Sequence, residues 1–135
     1  GHILPIYLKH YPLDERPQLA LEYARKWLLK EVKLPKAKGH ILSAHQAARD
    51  AEENPPAQAA ARAIAQSAST IHSASHSLGL ALYGGLALAY DQLGLDMPWA
   101  EQEAFALQQC EKMLAALQAV AIDNEPNPAK VKWFC

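Results

Sequence analysis

The run Ala57–Thr70, AQAAARAIAQSAST, is mostly alanine and follows the tandem prolines Pro55 and Pro56. Alanine combines the highest helix propensity with the smallest side chain, so such a helix forms readily and can approach a neighbour closely. It packs tightly rather than filling space. Pro56 suits the opening of this helix, with Asn54 or Pro55 just outside it, because an opening residue needs no backbone donor.

The other strong signals are also helical, and the reading is an all-α, single-domain bundle of about five helices over residues 1–135. Asp14 can cap a first helix over 15–31, with Pro17 in its first turn and Leu21, Ala24, Leu28 and Val32 at helical spacing. Lys33–Gly39, KLPKAKG, reads as a basic loop broken by Pro35 and Gly39. A second helix is expected over 40–53, carrying His45 beside Ile41, Ala44, Ala48 and Ala51. After the alanine helix, serine and threonine compete for backbone hydrogen bonds, which places a break near Ser73–Ser75. A fourth helix over 75–92 is apolar all round, as suits the middle of a bundle. Its Gly79, Gly84 and Gly85 ask for close packing or a kink. The last helix starts near Asp96 and Pro98, with a stripe of Phe105, Leu107, Cys110, Leu114, Leu117 and Ala121. The tail has no helical period, and Trp133 and Phe134 are expected to fold it back onto the bundle.

A formal net charge of −1, with both signs scattered, offers no basic stripe for nucleic acid. Leu78–Tyr90 is the most apolar run and falls short of the ~20 residues that span a bilayer. The N-terminus lacks the parts of a secretory signal. The two cysteines, Cys110 and Cys135, form no CxxC and no disulfide framework. A soluble cytoplasmic protein fits these features, without a nucleic-acid or membrane partner.

Chemistry concentrates in Ser67–Tyr90, SASTIHSASHSLGLALYGGLALAY, where His72 and His76 stand four apart among small and apolar residues. On a continuous helix they would share one face, as paired metal ligands must. Ser73 occupies the place of the glutamate in the zinc-protease motif HExxH, and a third ligand would have to come from His45, Asp14 or Glu15. Core histidines bonded to Ser, Tyr or backbone carbonyls are the simpler reading, and no cofactor or metal is assigned. There is no GxSxG and no phosphate loop, so no catalytic residue is named. Arg16 and Arg62 each lie on an apolar-rich element, where pairing with a carboxylate such as Asp14, Glu22 or Asp50 is expected. Trp27, Trp99 and Trp133 at helical spacing suit a core, although aromatic side chains also anchor interfaces.

The order DERPQLALEYARKWL, AHQAARDA, AARAIAQSASTIHSASHSLGLALYG and NPAKVKW resembles the bacterial putative immunity protein family, also called immunity-five-like. The resemblance implies a small helical cytoplasmic protein that binds and neutralises a protein toxin used in competition between bacteria, without catalysis. Arg16, His45, His72 and His76 match the family pattern as a polar cluster, with Trp27 as a neighbour. The alternative is a bundle that uses His45, His72 and His76 to bind a metal or small molecule, or to act on it. A closed cluster favours the toxin-binding module, and a pocket reaching both histidines with an acidic third ligand favours the alternative. The oligomeric state is not legible in the sequence.

Overall fold

The computed structural model describes residues 2–128, and these residues are helical, without strands. The helices are α1 (Ile3–His10), α2 (Arg16–Leu28), α3 (Leu34–Asp50), α4 (Pro55–Ser69), α5 (Ser77–Leu93) and α6 (Trp99–Val120), with a 3-10 turn at Ala74–His76 before α5. The alanine helix is the hub: α4 contacts α1, α2, α3 and α5. Ala57, Ala59, Ala60, Ala61, Ala63, Ala65 and Ala68 are all buried, so α4 presents small side chains on most of its circumference. Asn54 caps it by accepting the Ala57 N–H at 3.2 Å, with Pro55 and Pro56 in the first turn where no intrahelical donor is needed.

Two alanine-rich clusters make the core. Ile6 and Tyr7 of α1 meet Ala47, Ala48 and Ala51 of α3, Ala57–Ala61 of α4 and Ala87 of α5. On the other flank, Ala20 and Ala24 of α2 meet Ile41 and Ala44 of α3 and Ala65 and Ala68 of α4. The glycines of α5 serve close packing, as their sequence context suggests. A Cβ on Gly85 would sit 2.9 Å from the Ala106 carbonyl oxygen, so α6 crosses α5 there with backbone nearly touching backbone.

The structure corrects several boundaries. α1 is an addition to the helices that the sequence pattern announces: Pro5 lies in its first turn, and Ile6 and Tyr7 supply a short buried face that gains its stability from α4 and α5. KLPKAKG is not a loop. α3 starts at Leu34, Pro35 occupies its first turn, and Gly39 lies inside the helix with open space where a side chain would be. α2 stops at Leu28 rather than Glu31, because Lys30 adopts a left-handed φ of 63°. Lys30 N–H then donates to Trp27 O and Glu31 N–H to Lys26 O, each at 2.9 Å, the hydrogen-bond pattern usually signalled by glycine.

α5 does lie between α4 and α6, but it is not enclosed. Its buried residues are Gly84, Gly85, Ala87 and Ala89, while Leu78 and Leu82 are exposed. α6 packs on α5 through Ala106, Cys110 and Met113, which leaves Leu107, Leu114 and Leu117 of the expected apolar stripe in solvent. Gln102, buried at the start of α6, donates to the carbonyls of Gly94 and Met97 and so ties down the intervening loop. Residues 121–128 are non-helical and exposed, so this part of the tail does not pack on the bundle; Trp133 and Phe134 lie outside the described residues. No helix among the described residues is long and apolar enough to cross a membrane.

If close approach to α4 sets the architecture, enlarging one of its buried alanines must push helices apart. Ala60→Leu is expected to cost about 1–3 kcal/mol and lower the melting temperature by several degrees in thermal denaturation.

Candidate functional site

The four polar residues singled out in the sequence fall into two separate groups. Arg16 belongs to an ion-pair network at the junction of α1, α2 and α3. Its Nε and Nη2 donate to Asp14 at 2.9 and 2.7 Å, and its Nη1 donates to Asp50 at 2.6 Å. Asp14 also accepts the Tyr7 hydroxyl at 2.5 Å and the Arg16 backbone N–H at 3.1 Å, so it fastens the helix start although Glu15 is the residue directly before it. The Arg16 bonds hold the Asp14 carboxyl down at about 2, against a smaller opposing effect of burial. Burial and the adjacent carboxylate push the Tyr7 hydroxyl well above its ordinary value. This is the internal pairing expected for Arg16. Its guanidinium is occupied on both edges, so an open depression of about 710 Å3 beside it meets a satisfied group.

His45, His72 and His76 converge where α3 and α4 meet the turn before α5. His72 and His76 do not share a continuous helix: His72 lies in the turn after α4 and His76 ends the 3-10 turn. The break folds the chain so that their rings still come together, with centroids 5.4 Å apart. His76 Nδ1 lies 2.6 Å from Gln66 Oε1, so the ring nitrogen donates to the amide oxygen. Gly79 makes that bond possible, since a Cβ there would fall 2.6 Å from the Gln66 side chain. Burial first, then the neighbouring His76, holds both His45 and His72 below the ordinary histidine value of 6.5. Arg49 and Arg62 add to the effect on His45, and Lys38 to that on His72. Apart from burial, the groups acting on these two histidines are arginine, lysine and other histidines.

The histidine group is half open. His72 is exposed, and His76 lines a cleft of about 450 Å3 with Gln66, Ser75, Leu78, Gly79, Leu82 and Tyr83. Arg62, one turn before Gln66 on α4, lies over the Tyr83 ring at 5.5 Å from its centroid, within cation–π range. Among the described residues, no group of three His, Cys, Asp or Glu side chains has the arrangement to hold a metal ion. Of the third ligands that the sequence offers, Asp14 belongs to the Arg16 network. Trp27 is half-buried near the end of α2, beside Leu28, Lys30 and Val32.

Gln66 and Tyr83 line the cleft and Arg62 lies against Tyr83, and of these only Arg62 stands out in the sequence. The available signal is spacing: Arg62 and Gln66 stand four apart in an alanine-rich helix, which puts the two long polar side chains on one face.

The described residues thus form an all-helical bundle with a polar cleft beside His76. The sequence comparison gives its family. Residues 1–116 match the Imm-5 like putative immunity protein family, and the chain belongs to it. The match takes in both polar groups and ends before the NPAKVKW motif at 127–133. No curated protein and no solved structure matches the chain.

Two outcomes follow from these geometries. Arg16→Ala removes the cation that joins Asp14 to Asp50, and it is expected to cost about 1–3 kcal/mol in urea denaturation. For His45, which is partly buried, a folded-state value below 6.5 means that the unfolded chain binds more protons, so stability falls as pH drops through 6.5. The melting temperature should decline from about pH 7.5 to about pH 5.5, far above the range where Asp14 titrates, and His45→Gln should flatten that slope.

Proposed function

We propose that this protein neutralises a bacterial protein toxin by binding it in the cytoplasm of the cell that makes it or of its kin, without catalysis. The observation that carries this reading is the family membership across residues 1–116. Two features of the molecule support it. The Arg16 network is internally satisfied and acts as a structural clamp. The histidine cleft presents hydrogen-bonding groups at its rim and has exposed leucine on its walls, a mixture that suits contact with another protein.

The alternative, a metal-dependent or small-molecule activity on His45, His72 and His76, has less support. Of the acidic third ligands the sequence offers, Asp14 would have to leave Arg16 and Tyr7, where it is held by several charge-assisted bonds.

Co-expression tests the proposal. Growth should be restored when the protein is produced with a toxin encoded beside its gene, and the two should co-purify as a stoichiometric complex from which the toxin is recovered with unchanged mass. Failure to protect against every adjacent candidate would overturn toxin neutralisation, and a toxin recovered chemically altered would overturn the non-catalytic mechanism.

A further inference from the structure

We propose that the groove running from His76 across Leu82 and Tyr83 to Trp99 is the face that receives the partner, and that the partner inserts a carboxylate side chain flanked by apolar residues. The proposal rests on the toxin-binding reading and adds the contact face and the chemistry that it recognises.

Two clefts adjoin along this face. The cleft beside His76 shares Leu82 and Tyr83 with a second cleft of about 260 Å3 between α5 and α6, whose other lining residues include Leu86, Trp99, Ala106 and Leu107. Leu82 is 67% exposed, Trp99 61% and Leu107 59%. Burying such side chains supplies most of the energy of a protein interface, and tryptophan in particular recurs among the residues that dominate it.

Charge selects the partner. His76 lines one end of the groove and Arg62 rests on Tyr83; His45 lies near enough to feel His76, Arg49, Arg62 and His72, and His72 near enough to feel His76 and Lys38. Each group acting on His45 and His72 is a cation or another histidine. Among the described residues Arg62, like most of the lysines and arginines, forms no ion pair; it differs from them in resting on Tyr83, which lines both clefts. Glu103 lines the far end beside Trp99, so the face is polarised and the acidic group of the partner belongs at the His76 end. A carboxylate there can take a charge-assisted bond from the Arg62 guanidinium, with the leucines excluding water around it.

The test does not require the identity of the toxin. A phage-displayed library of random peptides is panned on the wild-type protein, and recovered peptides are measured against Arg62→Ala, Leu82→Asp and, as a control on α2, Leu28→Asp, each checked for helicity by circular dichroism. Leu82 is largely exposed, so its replacement leaves the fold intact even if Arg62→Ala does not. The expected peptides carry Asp or Glu between apolar residues, bind Leu28→Asp normally, and lose at least about tenfold in affinity for Leu82→Asp and Arg62→Ala. Peptides without an acidic residue, peptides that bind Leu82→Asp as well as wild type, or no binders at all would overturn the proposal. So would sedimentation showing a dimer that Leu82→Asp dissociates, since the occupant would then be a second copy. Where an adjacent toxin is neutralised by the wild type, Leu82→Asp should abolish protection. If none is neutralised, the toxin reading falls while the panning result still decides the groove.

Discussion

Close approach of helices to α4 is the constraint on which the rest of this structure depends. Alanine buries little surface per residue, so an alanine core gains less from transfer out of water than a leucine core would. It compensates through proximity: small side chains let helix axes come together, and every atom at the contact finds many partners at van der Waals distance. The remaining large side chains of the core, such as Tyr7, Ile6 and Ile41, sit where α1, α2 and α3 converge on the hub and fill the spaces that alanine cannot.

A core of small residues specifies position weakly, because alanine faces match one another in many registers. Here directional bonds fix the arrangement. The Tyr7–Asp14–Arg16–Asp50 network joins three helices at one corner, and His10 of α1 meets the Asn54 cap of α4 at 3.0 Å. At the opposite side of α4 the Gln66–His76 bond sets the turn into α5. The polar residues that resemble a functional cluster in the sequence therefore divide their labour. Arg16 holds the bundle together, and the histidines border its open side.

Helical character is legible wherever composition and breakers agree, as in α4 with its prolines; the break expected near Ser73–Ser75 begins a few residues earlier, after Ser69. It is less legible where a residue works against its usual habit. Lys30 ends α2 in a conformation normally left to glycine, and Pro35 opens α3 inside a segment that its lysines, proline and glycine make look like a loop. α1 escapes a periodicity reading because a helix this short has no repeating pattern and exists through its tertiary contacts. The histidines stand out in the sequence, but their relation does not. Spacing on an ideal helix cannot show that a turn and a 3-10 segment bring the rings together from different directions. Nor can it separate Arg16 from them, since that separation is a matter of which end of the bundle each helix presents.

The outer position of α6 has a consequence for how the molecule opens. Among the described residues α6 packs mainly on α5, held by the glycine notch at Gly85 and by the Gln102 side chain beneath the preceding loop. Its departure would leave both alanine clusters whole, because neither draws a residue from it. Local stability in proteins follows such boundaries, with peripheral segments exchanging their amide protons through openings that the core does not share. The protein therefore has a slow interior, made of α1–α4 and the inner face of α5, and a faster outer leaf that also forms one wall of the groove.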